Sequence, residues 1–400
     1  MAENRDKKVL NVPALRFPEF KGEWEKCKLS KVCSFFSGGT PPSSNKEYYN
    51  GNIPFIRSGE LHNDETELFI TKEGLDNSAA KTVEVGDLLL ALYGATSGDI
   101  AISKIKGAIN QAILCIRTKQ NKKFVESVWN KHVARLLQTY LQGGQGNLSA
   151  DIVKNIPFYF TNVEEQNKLA RFISLLDQRI AAQNKIIEKY ESLIQAICDT
   201  LIEAEQHKVE LSFNDFGEPY SGLSGKSSED FGEGCQYITY MNVYQNQIID
   251  ITDVGLVKIN DAEQQSVVRY GDILFTLSSE TPNEVGMGAV YLGDTYPLYL
   301  NSFCFGVHII DKSKIFPPFL AYYISIKSFR KAVFPLAQGS TRFNLQKSDF
   351  MKKKFLFPTV EKQNKIYSVL KAFSDKLSIE KNITNLLCEQ KSYLLRQLFI

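Results

Sequence analysis

No C-x-x-C pair occurs among the seven cysteines, Cys27, Cys33, Cys115, Cys198, Cys235, Cys304 and Cys388. An odd, scattered set of this kind excludes a disulfide framework and a zinc ribbon, and it reads as reduced thiols. The four histidines are isolated, so no metal site is expected. No window approaches the ~18–20 apolar residues of a membrane span. Met1–Lys8 is charged and has no apolar centre, so no secretory signal is expected, and a cytoplasmic, membrane-free protein is. Charge of one sign is also missing: Lys plus Arg number 47 against 45 Asp plus Glu, a net charge of +2. That excludes a uniformly basic coat but not local basic patches. The spacings G-x-x-x-x-G-K-[ST], G-x-S-x-G and H-E-x-x-H are absent. Asn155-Ile156-Pro157-Phe158 is only superficially like the N-P-P-[YF] of adenine methyltransferases: Ile stands where Pro belongs, and no G-x-G loop precedes it. The expectation is a binding protein that performs no catalysis and holds no cofactor or metal.

What is present is one unit written twice. Val163–Lys168 (VEEQNK) returns as Val360–Lys365 (VEKQNK), five matches in six at an offset of 197. The same offset relates Asn147-Leu148 to Asn344-Leu345. Gly86-Asp87-Leu88-Leu89 returns as Gly271-Asp272-Ile273-Leu274 at an offset of 185. The blocks keep their order while the middle of the unit varies in length, and such internal repetition organises the whole chain.

Glycine and proline are absent from Phe158 to Phe216 and again from Thr359 to Ile400. Each half is therefore a glycine-bearing globular part followed by a long helical part. In the first helix the seam falls at Leu169, Ile173, Leu176, Ile180, Gln183, Ile187, Tyr190, Ile194, Ile197 and Leu201, a 4-3-4-3 spacing. The second seam is Ile366, Leu370, Phe373, Leu377, Glu380, Thr384, Leu387, Lys391, Leu394 and Leu398. Heptad spacing predicts a coiled-coil pair, and the polar steps at Gln183 and Glu380 are suited to fixing register. Asn162 and Thr359 are placed as N-caps. Helices of about 40 residues reach roughly 60 Å at ~1.5 Å per residue. Two such helices from equivalent halves are expected to pair antiparallel, with a globular domain at each end and internal pseudo-two-fold symmetry.

The globular parts read as mixed α/β (α+β), with short β-rich runs at Asp87–Tyr93, Ile100–Ile102, Ile113–Ile116, Asp272–Leu277 and Cys304–Ile309, and helices at Phe124–Leu141 and Phe319–Phe334. The resulting division is 1–162, 163–205, 206–358 and 359–400. Two basic stretches precede the helices. Lys327–Lys365 carries ten cations against Asp349 and Glu361, and Arg117–Arg135 carries six against Glu126. Phosphate contact is one use for them, a solvated face the other. Glycine-rich loops at Ser37–Pro42 (SGGTPP), 143–147 (GGQGN) and 338–342 (QGSTR) carry amides, hydroxyls and an arginine able to read base edges.

These features together resemble the specificity subunit of type I restriction-modification enzymes. The resemblance covers essentially the whole chain. Its carriers are Val12–Trp24 (VPALRFPEFKGEW), Ser37–Pro42, Ile53–Ser58 (IPFIRS) with Tyr237–Val243 (YITYMNV), Val85–Leu90 (VGDLLL) with Tyr270–Phe275 (YGDILF), and the duplicated VEEQNK/VEKQNK helix start. One departure is that the second half has Ser221-Gly222-Leu223-Ser224-Gly225 where an SGGTP loop is expected. The resemblance implies two target-recognition domains, 1–162 and 206–358, each binding half of a bipartite, asymmetric site on double-stranded DNA. It implies helices 163–205 and 359–400 that set the spacer and dock two methyltransferase subunits, with restriction motor-nuclease subunits joining that core. S-adenosylmethionine, ATP and magnesium then belong to the partners. DNA contacts are expected at Thr40, Arg57, Tyr93, Gln145 and Asn147 in the first domain, and at Tyr240, Asn242, Ser340, Thr341 and Arg342 in the second. Helix pairing is expected from the apolar seam residues. The competing reading is a coiled-coil scaffold whose globular ends bind proteins. Only DNA recognition predicts an affinity for duplex that falls steeply with salt.

Overall fold

A computed structural model describes residues 10–141, 148–260 and 262–400. The chain divides into two units, Met1–Asn184 with Asn382–Ile400, and Lys185–Lys381. The expected boundaries at 162 and 206 do not coincide with this division, which cuts each long helix near its middle.

The first unit is built on an antiparallel sheet of Cys33–Ser37, Ile113–Thr118, Leu88–Ala91 and Ile100–Ile102, in that order. Leu88–Ala91 shows no polar alternation because both of its faces are covered. Leu88 and Leu90 pack with Phe124, Val125, Val128 and Trp129 of the helix Lys122–Leu141. Leu89 and Ala91 meet Ile56, Val83 and Ile109 of a second sheet. In that sheet Tyr49–Ile56 runs parallel to Gly107–Ile109.

The second unit repeats the plan. Gly217–Ser221, Cys304–Ile309, Ile273–Thr276 and Gly288–Val290 form the sheet in the same order. Phe231–Ile238 runs parallel to Tyr299–Leu300 in its companion sheet. The Gly-Asp turns repeat in atomic detail. Gly86 and Gly271 both have φ +89°. The Asp87 carboxylate accepts from the Glu84 N–H at 3.0 Å, and Asp272 accepts from that of Arg269 at 2.8 Å. The fifth residue of the neighbouring strand closes each turn, Arg117 onto Asp87 at 2.7 Å and His308 onto Asp272 at 2.9 Å.

The long helices are Val163–Glu203 and Val360–Leu398. The Asn162 side chain caps the first, accepting from the Glu165 N–H at 2.9 Å. Within the first unit, Leu169, Ile173 and Leu176 share a core with Leu394, Leu395 and Leu398, and Asp177 pairs with Lys391 at 2.6 Å. Within the second, Ile194, Cys198 and Ile202 pack with Ile366, Leu370, Phe373 and Leu377. There Lys362 meets Glu205 at 3.2 Å and Lys381 meets Glu191 at 2.7 Å. One index rises as the other falls, so the pairing is antiparallel. Of the other seam positions, Leu387 is buried, while Ile180 and Ile187 are half-buried. Leu201 departs from the expected seam: it is exposed, and Ile202 takes the inward place. A straight helix of 3.6 residues per turn drifts about 20° per heptad, which turns the buried face by one residue near this end.

The expected helix Phe319–Phe334 is broken into Pro317–Tyr323 and Lys327–Val333. Ile326 has no side-chain acceptor to cap the second piece. Asp199 of the long helix supplies one, accepting from the Lys327 N–H at 3.1 Å, a tertiary cap that no local pattern reveals.

Candidate nucleic-acid interface

The glycine loops are forced by close backbone approach. A Cβ on Gly38 would stand 1.8 Å from the Ile109 carbonyl oxygen, and one on Gly222 would stand 2.0 Å from that of Asn301. Gly39 and Leu223 then donate their N–H groups to the carbonyls of Ile109 and Leu300, at 3.2 and 2.7 Å. Ser221-Gly222 is therefore the structural counterpart of Ser37-Gly38. The second half keeps the corner that its sequence obscured, with Leu223 in place of the second glycine.

Facing each corner is a turn that the sequence reading missed. Asn110 accepts from the Ala112 N–H at 3.1 Å, and Asn301 accepts from that of Phe303 at 2.9 Å. The available signal was an asparagine before a β-run, repeated at an offset of 191. The first turn presents Gln111, whose side-chain carbonyl accepts from the Thr40 hydroxyl. Burial pushes the Tyr93 hydroxyl toward a higher pKa, and the nearby Gln111 side chain opposes that. Thr40 and Tyr93 are thus brought to one place. The second turn presents Phe303, 56% exposed, with the Arg342 guanidinium 5.9 Å from its ring centre.

Arg342 follows Ser340 and Thr341 in an exposed turn between Ala337–Gln338 and Phe343–Leu345. Tyr240 stands nearby: its hydroxyl donates to the Ser278 carbonyl at 2.7 Å, and its ring stacks on Tyr244 at 5.9 Å. Burial raises the Tyr240 pKa, and the Arg342 charge is among the groups that oppose it. Gln145 and Asn147 lie outside the described residues.

Two expected contacts are corrected by their surroundings. Asn242 is 0% exposed. Its amide donates to the Asp250 and Asp253 carbonyls at 2.7 and 2.6 Å, and its oxygen accepts from the Asp250 N–H at 3.0 Å. It ties the loop 246–253 together and has no surface to offer a base. Arg57 is partly exposed but committed: it bonds Glu60 at 2.9 Å and Glu67 at 2.7 Å. Glu60 is the first-half counterpart of Asn242, a buried polar knot just after the strand Tyr49–Ile56.

Burial would raise the Glu60 pKa. The Arg57 guanidinium, the N–H groups of Arg57 and Glu67 and the Thr66 hydroxyl outweigh it and hold the pKa at about 2. A depressed carboxylate pKa contributes stability above the unfolded value near 4.5, and that stability is lost as pH falls through about 2. Glu60→Gln is expected to cost about 2 kcal/mol at pH 7, allowing for the solvent screening of half-exposed Arg57. It should also flatten the dependence of stability on pH between 4.5 and 2. Denaturant melts at several pH values check this, and parallel curves for the two proteins would refute it.

The basic stretches are largely structural. In Arg117–Arg135, Arg117 pairs with Asp87, Lys122 donates to the Gly86 carbonyl, and Lys123 bridges Glu126 and Asp177. In Lys327–Lys365, Lys327 meets Asp199 at 3.5 Å and Lys354 meets Glu210 at 3.4 Å. Arg330 donates to the carbonyls of Asn283, Val285 and Gly286. The acids that offset these cations, Asp87, Asp177, Asp199 and Glu210, come from outside the two segments.

All seven cysteines are free. Burial pushes Cys115, Cys198 and Cys304 up to about 12, which leaves them unreactive at neutral pH. Among the described residues no group of His, Cys, Asp and Glu is placed to hold a metal, and no helix is long and apolar enough to cross a membrane.

The family described as the type I restriction modification DNA specificity domain matches residues 21–192 and again 224–389. Two relatives from Methanocaldococcus jannaschii, the type I restriction enzyme MjaVIII and MjaIX specificity subunits, are each 22% identical to this chain. The first alignment covers 92% of this chain and 89% of the relative, the second 89% and 88%. Among solved structures, the type I restriction-modification S subunit from M. genitalium is similar at a TM-score of 0.54 and 17% identity, over 97% of this chain and 99% of that one. A chain from a structure on complex assembly and conformational transition of the type I R-M system gives 0.58 at 15% identity, over 94% and 97%. The Gly38 corner, both asparagine turns and both helix starts lie inside the two matched stretches, with Gly222 just ahead of the second, and the chain belongs to the type I restriction-modification specificity subunits, carrying the DNA specificity domain twice.

Proposed function

We propose that each recognition domain reads one half of a bipartite, asymmetric site on double-stranded DNA, and that the long helices set the spacer and dock two methyltransferase subunits. Motor-nuclease subunits join that core in the cytoplasm. The chain itself is non-catalytic on this reading, and S-adenosylmethionine, ATP and magnesium act on the partners.

The observation that carries it is the duplicated corner. Gly38 with Asn110 and Gly222 with Asn301 build the same scaffold twice, while the side chains displayed there differ: Thr40, Tyr93 and Gln111 in one domain, Tyr240, Phe303 and Arg342 in the other. Identical frames with different displays suit the reading of two different half-sites. Docking is supported by large apolar residues that the helices leave exposed, Leu175, Leu386 and Tyr393 in the first unit and Ile186, Leu193 and Ile379 in the second.

The test is a map of N6-methyladenine in the host with and without this gene. One bipartite motif is expected to vanish on deletion and to return on complementation. Complementation with Arg342→Ala is expected to leave one half-site intact and relax or weaken the other, since a lost base contact costs about 1–3 kcal/mol. Unchanged methylation on deletion, with no methyltransferase co-purifying, would favour the scaffold reading.

A further inference from the structure

In the first unit a cleft of about 680 Å³ opens between the helix Lys122–Leu141, the strand Pro157–Phe160 and the end of the long C-terminal helix. Its rim carries Lys26, Lys131, Arg135 and Arg396, and among the described residues no Asp or Glu lines it. The floor is apolar, with Ile156 and Phe158. His132 stacks on Phe158 at 5.4 Å and donates from Nε2 to the Ile400 carbonyl at 2.8 Å, while its Nδ1 faces Arg135 Nη2 at 3.4 Å. Those partners fix a neutral imidazole, in keeping with the fall that burial imposes on its pKa. Burial and the Arg135 charge likewise lower the Lys131 pKa, and the Lys131 ammonium donates to the Phe399 carbonyl, while among the described residues no acid is paired with it.

The repeat supplies a control. The strand position of Lys26, opposite Tyr159, is occupied in the second half by Glu210, opposite Leu356. The helix position of Arg396 is occupied, 197 residues earlier, by Asp199. In the second unit both acids are paired, Glu210 with Lys354 and Asp199 with Lys327. The same scaffold therefore carries acid–base pairs on one side of the repeat and, among the described residues, cations that meet no acid on the other. A framework role does not demand that difference.

We infer that the cleft rimmed by Lys26, Lys131, Arg135 and Arg396 binds the phosphodiester backbone of duplex DNA beside the half-site that the first domain reads. Backbone held there positions the duplex without itself reading sequence. This inference rests on the DNA-reading function proposed above.

The experiment uses the full chain, purified with the subunits that accompany it. Binding of a fluorescent duplex bearing the methylated motif, and of a scrambled duplex, is measured from 50 to 300 mM salt. Arg135 and Arg396 are exposed, so Arg135→Gln with Arg396→Gln should leave the fold intact, as a thermal melt would verify. Each lost phosphate contact lowers the slope of log affinity against log salt by about 0.9, roughly tenfold in affinity at 0.1 M salt. The double variant is expected to lose nearly two units of slope on both duplexes while keeping the preference between them. Arg396→Asp, which installs the residue found at this place in the second unit, should weaken binding further than Arg396→Gln. An unchanged slope, with the wild type binding its motif, overturns the cleft alone. Loss of preference without loss of slope also overturns it, because the arginines would then be reading bases. A wild-type complex that binds neither duplex overturns the DNA-reading function and the cleft with it.

Discussion

Inserting one heptad into each long helix, after Gln183 and after Lys381, is expected to lengthen the spacer of the methylated motif by about three base pairs and to leave both half-sites unchanged. Seven residues add about 10.5 Å of helix at ~1.5 Å per residue, and successive base pairs are ~3.4 Å apart along the duplex. A heptad returns each following side chain to the same face, so the seams Leu169–Leu176 with Leu394–Leu398, and Ile194–Ile202 with Ile366–Leu377, keep their partners. The matched insertion is needed because the helices pair antiparallel in both units. Lengthening one alone would slide pairs such as Lys391–Asp177 or Lys381–Glu191 out of register. Methylome mapping of the complemented host reads the result. An unchanged spacer with full methylation would remove the helices from the measuring role. A matched insertion of four residues, which turns the seam away by about 40°, is expected to abolish methylation instead.

Replacing Gln166 and Gln363 by leucine is expected to be among the most destabilising pairs of substitutions in the molecule. Both glutamines are 0% exposed. Gln166 accepts from the Asn121 N–H at 3.1 Å and donates to the Thr161 carbonyl at 2.6 Å and to Gln120 Oε1 at 2.7 Å. Gln363 accepts from the Phe316 N–H at 2.8 Å and donates to the carbonyls of Pro358 and Lys314 at 2.8 and 3.2 Å. Each therefore ties the start of a long helix to the strand behind it and to the chain leading into a globular-domain helix. Leucine would leave buried donors and acceptors without partners, at about 1–3 kcal/mol for each group that water does not reach. Roughly 3 kcal/mol is expected for each single change, and the two should add because they lie in different units. Denaturant unfolding measures this. A loss under about 1 kcal/mol would mean that the knots are dispensable.

The glutamines show what repetition in a sequence can and cannot reveal. VEEQNK and VEKQNK identified the duplication and the start of both helices, but nothing in six letters says that the glutamine is the knot. Its three partners stand up to 49 residues away. Asn242 and Arg57, expected to face DNA, are held by neighbours in the protein that six letters do not show either. An asparagine or arginine beside a strand end is equally fit to face a base or to fasten a loop, and burial decides which. Gln111 escaped notice because a lone glutamine in a turn carries no local signal until Thr40 and Tyr93 are folded against it. The basic stretches were legible as charge and illegible as surface, since the acids that neutralise them, Asp87, Asp177, Asp199 and Glu210, come from elsewhere in the chain.

By itself the sequence determined the twofold repeat, the mixed α/β class, both long helices with most of their seams, and the first glycine-rich turn. All of these rest on local propensity or on periodicity, which the chain expresses without reference to distant residues. Tertiary structure alone decided the rest. It made Ser221-Gly222 the counterpart of Ser37-Gly38, because the decisive fact is a carbonyl 2.0 Å from an absent Cβ. It turned Leu201 out and Ile202 in, because a straight helix drifts from a heptad. It sorted cations into those paired with acids and those that meet none among the described residues, leaving Lys26, Lys131, Arg135 and Arg396 around one cleft, because charge is neutralised by neighbours in space and sequence distance does not set who they are.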